Sequence, residues 1–167
     1  MEIYTYYLTS PLGHIEISSI DDAITSIMFK DAIKRPSPSL NQSESIPDVI
    51  KNCITQFEEY FTGFRKTFNI KICIDGTEFQ KNVWKELQTI SYGQTISYEE
   101  LAVRLGDKKK IRAVASANGL NKLNIVIPCH RVIGKNGKLV GYGGDIWRKK
   151  WLINHEFGFT DKKGFLF

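Results

Sequence analysis

The second half of the chain marks its own helix boundaries. Thr77-x-x-Gln80 and Ser97-x-x-Glu100 both have the form of a capping box, in which a hydroxyl and a longer polar side chain satisfy the first free backbone amides of a helix. The first box opens a helix with Phe79, Val83, Trp84 and Leu87 as its apolar stripe, ended by Ser91-Tyr92-Gly93. The second opens a short helix that Gly106 stops. A third helical stretch runs from Lys108 to Asn118 and is closed by Gly119. Two short helices joined by a tight glycine-containing turn are the helix-turn-helix pattern. The interior of the third helix, Arg112-Ala113-Val114-Ala115-Ser116-Ala117, is almost all small. Ile111, Val114 and Ala117 can pack inward, which leaves Ala113 and Ser116 on a thin outward face. A tightly packed core helix would use small residues equally well, but the flank Lys108-Lys109-Lys110 favours contact with DNA.

The first 76 residues read differently. Ile3 to Leu8, the alternating Ile15 and Ile17, and Ile24 to Phe29 predict three strands. Lys34 to Pro47, with Pro36, Pro38 and Pro47, predicts an exposed loop. Val49 to Tyr60 fits an amphipathic helix with Ile50, Ile54, Phe57 and Phe61 on one face, and Thr67 to Ile74 alternates like a returning strand. The expected organisation is α+β, with a unit at 1–76 and a helical unit at 77–167.

Charge is unevenly spread. From Arg104 to Trp151 there are twelve Lys or Arg against two acids, Asp107 and Asp145, while the whole chain carries only +5. A basic segment on a mildly acidic body fits a nucleic-acid binder, although a solvated surface explains the charge alone as well. No apolar run is long enough to span a bilayer, and the start of the chain lacks the pattern of a secretion signal, so a cytoplasmic protein is expected. Three scattered cysteines and three histidines show neither a disulfide framework nor metal-ligand spacing, so no metal is expected.

Ile125-Val126-Ile127 reads as a buried strand running into Pro128-Cys129-His130-Arg131. Pro128 breaks it, so Cys129 is expected at its end, facing a pocket. A lone Cys is usually a small buried hydrophobe. Beside a His and an Arg, Cys129 is a better candidate for a low-pKa thiolate, with a water able to carry its proton to His130.

Pro128-Cys129-His130-Arg131-Val132-Ile133-Gly134 resembles the active-site signature of the O6-alkylguanine-DNA alkyltransferases, the methylated-DNA–protein-cysteine methyltransferase family. Tyr98, Arg112, Asn121, Gly141-Tyr142-Gly143-Gly144 and His155-Glu156 fall at the family's places and in its order. The detailed resemblance covers Thr77 to Gly158. It implies a small ribonuclease H-like α/β domain followed by a winged-helix, helix-turn-helix alkyltransferase domain. The implied activity is DNA repair by direct reversal: an alkyl group passes irreversibly from guanine O6, with O4-alkylthymine left open, to Cys129 in a single turnover.

The resemblance also implies roles. Cys129 attacks, His130 accepts the thiol proton, Glu156 orients His130, Asn121 holds the cysteine loop and Tyr98 donates to guanine N3. Arg112 fills the gap left by the flipped base, Ala113 and Ala115 let the helix enter the minor groove, and Val132, Tyr142 and Gly143 line the base site. The partner is double-stranded DNA carrying alkylated guanine, bound by a monomer without cofactor. Its compartment is the cytoplasm, or the nucleus in a eukaryote. Three positions depart from the pattern: Lys122 where many members have proline, Asn124 where proline or a small apolar residue is common, and Asp145 for a second lid glycine. A lesion binder without catalysis, a winged-helix regulator and a Cys-His hydrolase are the rivals. The first replaces the cysteine, the second gives no reason for Pro128-Cys129-His130-Arg131, and the third lacks an oxyanion glycine motif.

Overall fold

Ile15 and Ile17 alternate with Glu16 and Ser18, so the pleat sends the two sets to opposite faces of one strand. In the computed structural model, which describes residues 1–160, that strand is β2 (Gly13–Ile20). It lies between β1 (Ile3–Ser10) and β3 (Ala23–Phe29) in an antiparallel three-stranded sheet, with Leu8 opposite Ile15 and Ile17 opposite Ile27. Helix α1 (Asp48–Phe61) packs on the sheet and buries Ile50, Phe57 and Tyr60. Residues 34–47 are mostly exposed, as expected, yet they are tied to the sheet. Ser37 N–H donates to Phe29 O, Ser43 N–H to Thr5 O, and Leu40 N–H to the buried Glu16 carboxylate.

Two expected strands are corrected. Thr67 to Ile74 forms no strand; it runs beside β3 through a single parallel bridge, Ile24 with Ile72. Only the amides of Ile24 and Cys73 are bonded across it, too few to continue a ladder. Ile125 to Ile127 is a turn, with Ile125 at φ +74°. Its apolar run reflects burial of both Ile125 and Ile127, which periodicity cannot separate from a strand.

The helical half follows its caps. Helix α2 (Glu78–Leu87) begins with a complete box: Thr77 Oγ1 accepts from Gln80 N–H, and Gln80 Oε1 accepts from Thr77 N–H. Helix α3 (Tyr98–Arg104) has half of one; Ser97 Oγ accepts from Glu100 N–H, while the Glu100 carboxylate takes Arg104 at 2.8 Å instead. The third expected helix is split. Lys108–Lys110 is a 3-10 turn capped by Asp107, and α4 (Ile111–Gly119) follows. Trp84 Nε1–H donates to Ala117 O at 2.8 Å, pinning α2 against the end of α4. Short strands β4 (Ile96–Ser97) and β5 (Val132–Ile133) pair in parallel, and α5 (Ile146–Gly158) closes the described chain. One continuous apolar core links both halves, from Ile17 and Phe57 to Val114, Ile127 and Leu152.

Candidate active site

Cys129 opens a 3-10 turn, Cys129–Arg131, directly after Pro128. One side chain shapes this approach. Asn121 Nδ2 donates to Ile127 O at 2.9 Å and to Cys129 Sγ at 3.2 Å, and its Oδ1 accepts from Leu123 N–H. Asn124 donates to Ile27 O, so β3 braces the same turn. The expectation of an open, low-pKa thiolate is corrected here. Cys129 is only 3% exposed, and burial pushes its thiol up despite the opposing pull of Asn121, Lys149 and Arg35. A neutral thiol needs a base to take its proton.

His130 is the candidate for that base. It is fully buried, and its Nε2 lies 2.7 Å from Glu156 Oε1. Glu156 also accepts Tyr60 O–H at 2.8 Å, Arg131 Nε–H at 2.8 Å, Arg131 Nη2–H at 2.9 Å and the Gly93 amide at 3.4 Å. Burial pushes the Glu156 carboxyl up, but His130 and Arg131 outweigh it and hold it well below the usual carboxylate range. The anion therefore takes a proton at Nε2, which leaves Nδ1 as the basic nitrogen, and Nδ1 has no partner. Burial lowers the His130 pKa, so the ring is neutral near pH 7. Arg131, expected beside the thiol, serves the carboxylate instead.

A pocket of about 410 Å³ is lined by Tyr98, Arg112, Ala115, Gly119, Tyr142 and Gly143, among others. Tyr98 and Tyr142 lie close enough to Cys129 for its charge to raise both phenols, after burial, with Tyr98 pushed up to about 12. Tyr98 O–H donates to Val140 O at 3.1 Å. Lys149 was not foreseen. It is fully buried on α5, and its Nζ donates to Val140 O at 3.0 Å, Gly141 O at 3.1 Å and the Tyr98 oxygen at 3.3 Å. The spacing of Lys149, Leu152, Ile153 and Glu156 places it on the buried stripe of α5, which is the signal that could have found it. Burial lowers its pKa to about 8. Below that pH the ammonium makes Tyr98 a better proton donor; above it the charge is lost. The expected result is a transfer rate that falls as pH rises through about 8, although thiol ionisation alone would raise it. Rates measured across that range check this, and Lys149→Met should remove the fall along with most of the activity.

The outward face of α4 is as thin as expected: Arg112, Ala113 and Ser116 are exposed and Ala115 is half-buried. Lys109 and Arg112 have no carboxylate partner among the described residues, whereas Lys108 pairs with Glu99 at 2.9 Å. Of the twelve basic residues counted in this segment, Arg131, Arg148 and Lys149 are buried, so they add nothing to the surface field. The first half contributes instead. Lys34 and Arg35 line the pocket, and Arg35 Nη1–H donates to Gly119 O at 2.9 Å.

The chain is similar to known proteins along nearly its whole length. A sequence model of the 6-O-methylguanine DNA methyltransferase DNA-binding domain matches residues 78–157, and one of that protein's ribonuclease-like domain matches residues 3–74. The chain belongs to this family. A methylated-DNA–protein-cysteine methyltransferase of Haemophilus influenzae is 40% identical over 92% of this chain and 85% of its own. One from Mycolicibacterium paratuberculosis is 42% identical over 86% of each. The crystal structure of Mycobacterium tuberculosis O6-methylguanine methyltransferase superposes with a TM-score of 0.85 at 36% identity, covering 95% of both chains. The same protein in complex with DNA gives 0.83, covering 96% of this chain and 95% of that one.

As a methyltransferase of this family, the chain accommodates its departures locally. Asp145 sits at φ +74°, ψ 149°, a region almost reserved for glycine and costing about 1–3 kcal/mol otherwise. Its carboxylate offsets that by accepting the amides of Ile33 and Lys34 and by pairing with Arg148. Gly144 beside it has no alternative, since a Cβ there would lie 2.5 Å from the Phe29 ring. Asn124 is buried and braces the cysteine turn through Ile27, a use proline could not serve.

Proposed function

We propose that the chain repairs DNA by direct reversal, taking the alkyl group of O6-alkylguanine onto Cys129. The observation that carries this reading is the buried His130–Glu156 pair one residue from the cysteine, with Nδ1 bare. His130 accepts the thiol proton at Nδ1 through a water. The sulfur then forms a bond to the alkyl carbon as the carbon–O6 bond breaks, and its electron pair leaves with the guanine. Tyr98 supplies a proton at guanine N3, so the base departs neutral, while Asn121 holds Sγ in line. The product is a thioether, which no group in the site can hydrolyse, so turnover stops at one.

The target lies inside the duplex and must be flipped out, at a cost of a few kcal/mol. Ala113 and Ala115 let α4 approach through the minor groove, Arg112 occupies the vacated stack, and Val132, Tyr142 and Gly143 surround the base. Arg112→Ala is expected to slow repair of duplex DNA about tenfold, a part of that flipping cost, and to leave reaction with a free O6-alkylguanine base unchanged. Equal losses on both substrates would give Arg112 to the fold or the chemistry.

We propose a division into two units at Gly76/Thr77, a reading supported by the Gln80 side chain and the Trp84 ring lying close to Gly76. No described helix is long and apolar enough to cross a membrane, and the proposed place of action is the compartment that holds DNA, the cytoplasm or a eukaryotic nucleus. Mass spectrometry after incubation with duplex O6-methylguanine tests the whole reading. The expected gain is one methyl group per protein, on the peptide containing Cys129; no covalent gain would leave a lesion binder or a regulator.

A further inference from the structure

Helix α1 buries Ile50, Cys53, Gln56, Phe57 and Tyr60, and Tyr60 carries the one hydroxyl among them. A phenylalanine would fill the same space without bringing a polar group into the core. The Tyr60 ring is held on several sides, with the rings of Phe61 and Phe68 at 5.4 Å, His155 at 5.3 Å and Tyr92 at 6.1 Å. His155 Nε2–H donates to Tyr60 O at 2.8 Å, so α5 also grips the backbone there. The hydroxyl of this fixed ring donates to Glu156 Oε1 at 2.8 Å.

That oxygen is the one that holds the base. Oε1 accepts from His130 Nε2–H at 2.7 Å, Tyr60 O–H at 2.8 Å and Arg131 Nη2–H at 2.9 Å, while Oε2 takes Arg131 Nε–H and the Gly93 amide. Three donors share one oxygen, so each weakens its pull on the other two. A carboxylate beside an imidazole favours the charged ring, and a charged ring cannot take a thiol proton. The positive end of the Tyr60 O–H dipole opposes that pull. Burial and the Glu156 charge raise the Tyr60 phenol well above its usual range, so it stays protonated and keeps donating. Arg131 acts in the same sense, but it carries a full charge whose partner is this carboxylate.

We infer that Tyr60 is a positioning residue of the alkyl-transfer site: by donating to the carboxylate oxygen that holds His130, it keeps the imidazole neutral and its proton on Nε2. This rests on the alkyl-transfer reading above. Other groups face the pair as well. Tyr92 stands after α2, Cys129 and Arg131 lie on the cysteine turn, Tyr142 lies in the run 141–144, and Lys149 and His155 lie on α5. Among the described side chains, Tyr60 alone brings a hydrogen bond to Glu156 from the first half of the chain. That half thereby sets the charge of a base that lies in the second.

The test follows single-turnover transfer from duplex O6-methylguanine, at saturating protein, from about pH 5 to about pH 7.5, where histidines titrate. Tyr60→Phe keeps the ring and removes one oxygen, so Oε1 pulls harder on His130 and the ring charges at higher pH. The acid limb should move up by about one pH unit, making transfer about tenfold slower than wild type at the low end and much closer to it at the high end. Replacing Tyr60 with 3-fluorotyrosine, a stronger donor of nearly the same shape, should move the limb down; this variant carries the test if melting shows Tyr60→Phe unfolded. Phe61→Leu loosens the packing around the ring without touching the hydroxyl, and should lower the melting temperature while leaving the limb in place. A limb that either folded Tyr60 variant leaves unmoved, or that Phe61→Leu moves as far, makes Tyr60 a packing residue and overturns the inference with alkyl transfer intact. If Cys129 gains no methyl group at any pH, the transfer reading itself falls, and this inference with it.

Discussion

Cys129→Ser is expected to abolish alkyl uptake and to leave DNA binding near the wild-type level. The thiol is already pushed up by burial, yet its ionised form remains accessible to a neutral imidazole, because sulfur spreads the charge that forms. A serine hydroxyl in the same buried place is far harder to ionise, and the carbon it would attack is a poor electrophile. The fold should tolerate the exchange. Asn121 Nδ2 can donate to a hydroxyl as it does to Sγ, and the exchange removes none of the exposed α4 side chains Arg112, Ala113 and Ser116 proposed to meet DNA. The other two cysteines provide controls. Cys53 is buried, with its thiol pushed up to about 12, and Cys73 lies exposed in the first half of the chain. Neither Cys53→Ser nor Cys73→Ser should change the transferred mass. Binding is read by mobility shift and uptake by mass. Wild-type uptake in Cys129→Ser would remove the nucleophile from this site.

Elements governed by neighbours in sequence were legible, and those governed by distant partners were not. The Thr77 box forms with both of its bonds because all its atoms lie within four residues. The α4 surface followed from residue size alone. Cys129, His130 and Glu156 were placed together by resemblance, since no spacing rule joins positions 26 residues apart. Tyr60 was missed because its hydroxyl reaches Glu156 from the other half of the chain, 96 residues away. Lys149 and Asn118 are polar residues on apolar stripes, an anomaly visible in the sequence. Thr67 to Ile74 shows the opposite failure, where alternation was present but only one bridge to β3 formed.

Glu156→Ala is expected to destabilise the fold by about 3–5 kcal/mol, because it strands a buried guanidinium. Arg131 is 7% exposed and would keep only the Ile90 carbonyl for its five donors. Tyr60 O–H and His130 Nε2–H would lose their acceptor together. Glu156→Gln should cost less, since the amide oxygen can still accept from Arg131. The pH dependence separates this carboxylate from a merely well-packed side chain. In the folded state its pKa lies well below the unfolded value of about 4.3, so its contribution is complete above that pH. It is lost as pH falls through the folded value. The gap between wild type and Glu156→Gln in urea unfolding should therefore be wide at pH 7 and narrow steadily below about pH 4. Transfer by either variant should also fall, because without the carboxylate nothing fixes the proton at Nε2 and keeps Nδ1 basic. A gap that stays constant with pH would mean that Glu156 is buried as a neutral acid, and the assignment of His130 as the thiol's base would lose its support.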